Sequence, residues 1–397
     1  MTRKLERGSN HHMLGRLLCG AFGLAPALLM LMTWGNHEQT WLMKVYVPTI
    51  VVAELATVIA AFLQGMRIRR NSPTMCLAAL LTLAWTMVFF SPDPRKALLM
   101  TELWTLHVLF GFAAAYLFRA SDLIAGLLWG FVLCTALIGY LALTAPPDFA
   151  WVGEMPGLGN PRSFAIYAAV AIGLCLGLLG KGKLWPLPVL AAAFMLVFWS
   201  GSRGAVVASA GTLAASLLLF PTVRRFEVWG GFLVSAAVGA ALARSASSPA
   251  SLIGVNRMTE SSDNGRIELW RDVIELISQR PWFGYGEGQT EILTGIIWCF
   301  HPHNIILQVL LAWGVVGLVL VVILAVWAAR KTLERSSPET LPLVCSIIGL
   351  AFYSFIDGAL YNIHTVAIFA ACVGVTMALK KVDLASNEAP LSPKLPN

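Results

Sequence analysis

The amino-acid sequence predicts an all-α polytopic membrane protein of about 12 transmembrane helices. Three observations lead there. Of the 397 residues, 57% are hydrophobic, and mean hydropathy is +0.73. Only 12% are charged, half of the roughly 25% that coats a soluble domain. The apolar runs are about 20 residues long, not short and alternating, which excludes an outer-membrane barrel. In hydrocarbon a chain must satisfy its own backbone, so such runs are helices.

Met1–His12 is basic and precedes the first apolar run, which reads as an uncleaved first helix. Apolar runs follow at 14–34, 43–64, 73–90, 97–118, 123–144, 163–180, 185–200, 205–220, 228–245, 303–328, 341–356 and 363–379. Three regions result: spans 1–9 within 1–245, a polar loop at 246–302, and spans 10–12 with a tail at 303–397. Most Lys and Arg sit in alternate connections, around Arg3–Arg16, Arg67–Arg70, Arg119, Lys181–Lys183, Arg224–Arg225, Arg330–Arg335 and Lys380–Lys394. The positive-inside rule puts those connections and both termini in the cytoplasm. The net charge of +7 is therefore topological. No basic stripe interleaved with aromatics points to nucleic acid.

On the opposite face three arginines stand at helix starts. Arg162 follows Gly157-Leu158-Gly159-Asn160-Pro161 and precedes a span. Arg203 lies in the turn Ser200-Gly201-Ser202-Arg203-Gly204. Arg266 opens an amphipathic segment, 264–279, with Ile267, Trp270, Ile274 and Ile277 on one stripe and Asp263 or Asn264 as cap. Helix N-terminal amides favour an anion, and a guanidinium adds a charge and a fork that fits phosphate oxygens. Snorkelling to headgroups accounts for each arginine taken alone. The three together favour an anion site. Pro281 ends the amphipathic segment, Phe283-Gly284-Tyr285-Gly286 reads as a tight turn, and a second short helix is expected over about 289–300.

His301-Pro302-His303-Asn304 abuts the run Ile305–Trp327. Two imidazoles at a membrane boundary suit acid–base chemistry on a substrate with an apolar tail and a polar head. An interfacial helix cap is the bland alternative. Their H-x-H spacing lacks the further ligands that zinc requires, since His37, His107 and His364 are scattered. The odd number of cysteines, seven, lies mostly inside apolar runs and reads as packing rather than as disulfides. Glu54, Glu102 and His107 fall within apolar runs. They read as partnered structural groups, or as the proton relay of a transporter. Trp151, Trp270, Trp282, Phe283 and Tyr285 crowd the outer loops, where aromatics anchor at interfaces or stack on sugar rings.

Four stretches in this order resemble the O-antigen ligase and polymerase family of bacterial envelope enzymes: Gly201-Ser202-Arg203-Gly204; Asn264-Gly265-Arg266 with Trp270; Pro281-Trp282-Phe283-Gly284-Tyr285-Gly286; and His301-Pro302-His303-Asn304 with Gln308. The resemblance covers nearly the whole topology. The compact length looks more like a lipopolysaccharide O-antigen ligase than a protein O-oligosaccharyltransferase. It implies a fold like the lipid-dependent (GT-C-like) glycosyltransferases, in the bacterial inner membrane with the site on the periplasmic face. It implies transfer of a polysaccharide from undecaprenyl pyrophosphate to a sugar hydroxyl of lipid A–core, without metal, cofactor or nucleotide. The roles it suggests are His303 as base, Arg162, Arg203 and Arg266 on the pyrophosphate, and His301, Asn304, Tyr285 and Trp270 in support. An O-antigen polymerase of the same family remains open, as does a transporter or flippase of lipid-linked glycan.

Overall fold

The computed structural model describes residues 2–34, 39–144, 146, 149, 151, 155–157, 160–246, 265–296 and 300–378. Its helices are α1 (Thr2–Met32), α2 (Gln39–Leu63), α3 (Ser72–Val88), α4 (Pro94–Leu117), α5 (Ala120–Thr144), α6 (Pro161–Gly180), α7 (Leu187–Trp199), α8 (Arg203–Leu219) and α9 (Phe226–Ser245). Then come the short loop helices α10 (Arg266–Gln279) and α11 (Thr290–Thr294), and finally α12 (Ile305–Glu334), α13 (Leu341–Ile356) and α14 (Ile363–Ala378). A 3-10 turn, Ala359–Tyr361, joins the last two. Each expected apolar run thus holds a helix. By length and composition α1, α4, α5, α6, α9 and α12 are long and apolar enough to cross a membrane. The apolar stretches of the other six are 10–17 residues long.

Local chemistry sets the helix starts. Asn71, Asp93, Asn160, Ser202 and Asn304 each sit just outside a helix and accept from its first free amides. Pro94 and Pro161 follow their caps at the first helical position, where a missing N–H costs nothing.

The bundle is built around α6, which is buried along almost its whole length. It packs closely on α13 and also against α7 and α8, while α1 lies along α5, α7 along α9, and α4 between α2 and α14. Between helices in lipid the contact energy comes from close packing, so small residues sit at the seams. A Cβ on Gly177 would come within 2.3 Å of the Pro342 Cα, and one on Gly173 within 2.6 Å of the Ser346 backbone.

One span departs from a continuous helix. Gly314 adopts φ 62°, ψ −163° and breaks α12 into an upper half, Ile305–Trp313, and a longer lower half. The break frees backbone groups that hydrocarbon cannot satisfy. Residues 281–286 satisfy them: Tyr285 and Gly286 donate to Leu311 O and Ala312 O at 2.8 Å each. Val315 donates to Pro281 O at 2.8 Å and Val316 to Trp282 O at 3.2 Å. What the sequence offers as a simple tight turn is thus the strand-like partner of a broken span.

Two further expectations change. The buried side of α10 is Leu269 and Val273, packed on Leu311 and Tyr285. Of the expected stripe, Trp270 and Ile277 pack against that cluster, while Ile267 and Ile274 are each 57% exposed. Leu269 and Val273 are an equally good helical pair, and the contact with α12 decides between the two faces. The second loop helix ends at Thr294 because Gly295 turns left-handed, φ 66°. Of the expected α10 caps, Asp263 and Asn264 lie outside the described residues, as does Cys299.

Candidate functional site

The site gathers where α6, α8, α10 and α12 begin and α13 ends. Asn304 fixes the start of α12, its Oδ1 accepting from Ile306 and Leu307 at 2.9 and 3.1 Å. Its Nδ2 donates to Phe355 O at 3.0 Å, tying that start to the end of α13. The residue before it, His303, has φ 57°, the one positive φ outside glycine among the described residues. Such backbone is uncommon for a side-chain-bearing residue and persists only where its surroundings hold it. His303 N–H donates to His301 Nδ1 at 3.1 Å, and Trp270 Nε1 donates to Pro302 O at 2.7 Å. Those two bonds clamp the His-Pro-His segment from inside and from α10.

The partner of His303 is Asp357, which the sequence reading did not single out. His303 Nδ1 lies 2.5 Å from Asp357 Oδ1. The second oxygen, Oδ2, accepts from Arg266 Nη2 at 3.2 Å, and Arg266 Nη1 donates to Ile356 O at 2.9 Å. Burial pushes the Asp357 carboxyl up, but the hydrogen bond and charge of His303, the Arg266 charge and the Gly358 amide outweigh it. They hold Asp357 well below the usual carboxylate range. An ionised carboxylate only accepts, so Nδ1 of His303 carries a proton, and Nε2 is the nitrogen left to exchange one.

His301 lies beside His303, ring centroids 4.3 Å apart, and 5.0 Å from Tyr361. Burial first, then the charge of His303, pushes it down to about 3, against the pull of Asp357. It is thus neutral at physiological pH. Its ring lies flat on Gly358: a Cβ there would come within 1.9 Å of the ring carbon Cε1.

Arg203 is the first residue of α8, immediately after Ser202, whose Oγ lies 2.8 Å from the buried Tyr353 hydroxyl. Gly204 follows, with the Asp357 Cβ 3.6 Å from where its own Cβ would stand. The Tyr353 hydroxyl also lies within the fields of Asp357, Arg266 and Arg162. Arg162 is at the second position of α6, whose first amide turn is capped by Asn160 Oδ1 at 2.9 Å. Arg162 and Arg266 thus both act on Tyr353, and Arg203 starts the helix whose cap, Ser202, meets the Tyr353 hydroxyl. Arg266 is already engaged with Asp357 and the end of α13, with three of its five N–H donors left over.

Tyr285 belongs elsewhere. It is 6% exposed, packs between α10 and α12, and donates its hydroxyl to Leu276 O at 3.1 Å, with Arg280 over its ring. It supports the scaffold and does not reach the histidines. Glu54 and His107 form a buried pair inside the bundle, Oε1 to Nδ1 2.7 Å, and Glu102 faces outward on α4. Among the described residues no group of three or more His, Cys, Asp or Glu is placed to hold a metal ion.

This arrangement is an Asp–His pair beside the Arg266 guanidinium and the first turn of α8. It can take a proton from an alcohol on one side and stabilise a developing anion on the other. Residues 188–322 match a family model described as O-antigen ligase. That stretch holds Arg203, Arg266, Trp270, His301, His303 and Asn304; Arg162 and Asp357 lie outside it. Over 191 residues the chain is 31% identical to an O-antigen ligase of Pseudomonas aeruginosa, covering 46% of this chain and 45% of that protein. Over 98 residues it is 28% identical to a general O-oligosaccharyltransferase of Acinetobacter baylyi, covering 22% of this chain and 17% of that one. In alignment the chain spans less than half the length of either relative.

Proposed function

We propose that this chain, whose residues 188–322 match a family model described as O-antigen ligase, is a membrane-embedded glycosyltransferase of the ligase type. The donor is a polysaccharide on undecaprenyl pyrophosphate, and the acceptor is a sugar hydroxyl of lipid A–core. The reaction takes place on the periplasmic side of the bacterial inner membrane. The observation that carries this reading is the His303–Asp357 pair, 2.5 Å apart, set beside Arg266 and the first turn of α8.

The acceptor hydroxyl attacks the anomeric carbon as the bond from that carbon to the pyrophosphate oxygen breaks. The hydroxyl proton passes to Nε2 of His303, and the electron pair leaves on the pyrophosphate. Asp357 keeps the proton on Nδ1, so the free nitrogen faces the acceptor, and stabilises the imidazolium that forms. Arg162, Arg203 and Arg266 hold the charge that grows on the leaving group, most strongly in the transition state. Trp270 and Asn304 hold the histidine segment in place. A single displacement inverts the anomeric centre. No metal or cofactor has a part in this scheme.

The test is transfer between purified lipid-linked glycan and lipid A–core by purified protein in a bilayer, with chelator present. His303→Ala is expected to lower the rate by about 10²–10⁴-fold with unchanged protein yield. A wild-type rate in that variant removes the base assignment. Arg203→Lys is expected to be impaired as well, since a point charge does not replace a fork. Replacing lipid A–core by a second lipid-linked glycan, or by an acceptor protein, distinguishes ligation from polymerisation and from protein glycosylation.

A further inference from the structure

Behind the two histidines lies a buried polar pair that the scheme above does not use. Glu287, 1% exposed, follows the 281–286 segment. Its Oε2 accepts from Gln308 Nε2 at 2.7 Å and from the Gly288 amide at 3.2 Å, and the Trp104 side chain also hydrogen-bonds the carboxyl. Gln308 is 4% exposed and sits one turn into α12. In its ionised form, held by the Gly288, Gln308 and Trp104 donors, the carboxyl only accepts, so the amide then presents its nitrogen to Glu287. The amide oxygen, Oε1, is then turned away, buried, with no hydrogen-bond partner among the described residues. Gln308 lines a small cavity of about 10 Å³ together with His301, Asn304, Ser354, Gly358 and Tyr361. An orphaned buried acceptor is costly, so one kept at a working site calls for a reason.

We propose that Glu287 is a positioning residue for His303, acting through the Gln308 amide and the ring of His301. The causal chain has three links. Glu287 holds Gln308 with its carbonyl oxygen toward the cavity shared with His301. An acceptor on that side favours the His301 tautomer with its proton on Nε2. That tautomer leaves Nδ1 as the acceptor that anchors the His303 amide at 3.1 Å and keeps its left-handed backbone in place. A reversed amide would offer N–H to the cavity, favour the opposite tautomer and cancel that anchor. Burial pushes the Glu287 carboxyl up to about 7, against the bonds from Gly288, Gln308 and Trp104. The inference rests on the proposed role of His303.

The test uses the full chain in lipid bilayers with ¹⁵N-labelled histidine, His301 being assigned by its loss in His301→Gln. Wild type is expected to show His301 neutral with the proton on Nε2. Glu287→Gln is expected to show a mixture of tautomers and a kcat lower by about 10-fold, with KM unchanged. Gln308→Met fills the same volume without donor or acceptor, and covers the case in which Glu287→Gln fails to fold. It is expected to give the same two changes. A folded variant of either kind with a wild-type kcat, or with reduced kcat and an unchanged His301 signature, overturns the inference. His303→Ala in the same assay separates the two readings: full transfer there sinks the base assignment, whereas a dead His303→Ala beside a fully active Gln308→Met sinks only this one.

Discussion

At the scale of single residues, Asp357 does the most with the least sequence signal. It is one carboxylate between two apolar helices, with no motif around it. It becomes meaningful only when α13 ends beside the start of α12. Asp357→Asn keeps the shape but lets either nitrogen of His303 carry the proton, so transfer is expected to fall by about 10²–10⁴-fold. Steady-state transfer by the purified, folded variant checks this. His301 gives a different prediction. Its pKa is about 3 in the fold against roughly 6.5 in an unfolded chain. As pH falls through that window the unfolded chain takes up a proton that the folded chain refuses, so stability drops with falling pH. Wild type is expected to lose thermal stability more steeply than His301→Gln between about pH 6.5 and pH 4, measured as midpoints in matched buffers. The histidines and arginines were readable because basic groups stand out on a face that topology keeps free of them. Tyr285 sits in a motif-like turn, yet its hydroxyl meets Leu276 and Gln279 and its ring carries Arg280. A tyrosine in a glycine-rich turn looks the same on paper in either role.

At the scale of elements, capping chemistry offers a signal that the hydropathy runs do not use. Asn160-Pro161, Asp93-Pro94 and Asn304 start helices where their residue types say they should. The face of α10 was half legible: Trp270 and Ile277 pack inward beside Leu269 and Val273, and the contact with α12 leaves Ile267 and Ile274 outside. The break in α12 was hidden for a related reason: glycine is ordinary in a membrane helix, and nothing local to Gly314 says it turns. Gly314→Ala is expected to destabilise the protein by about 1–3 kcal/mol. It forces a side chain into a left-handed residue, with its Cβ 2.3 Å from the Trp282 carbonyl carbon. Gly139→Ala, whose Cβ meets nothing within 4 Å on α5, is the control, expected neutral or slightly stabilising. Thermal midpoints of both in one detergent decide the comparison.

At the scale of the whole molecule, hydropathy alone gave the place and order of the apolar helices, six of them long and apolar enough to cross a membrane, because length and apolarity are what a bilayer selects. Where those spans converge could not be read, since contacts such as α6 on α13 join residues far apart in sequence. Charge gives the orientation: the end with Lys181–Lys183 and Arg224–Arg225 is expected inside, and the site end outside. In a background with Cys76 and Cys299 replaced by serine, Trp282→Cys is expected to react with a membrane-impermeant maleimide on intact spheroplasts. Lys183→Cys should react only after lysis. The reverse pattern would turn the molecule over.

The graft of residues 281–286 onto the broken α12 has a practical consequence. The histidine loop hangs from a half-helix whose missing backbone bonds come from a stretch about twenty positions upstream. The two stretches are one mechanical part. Anyone exchanging His301–Asn304 between relatives to change acceptor choice must move Pro281–Gly286 and Gly314 with it, or the loop will arrive without its support.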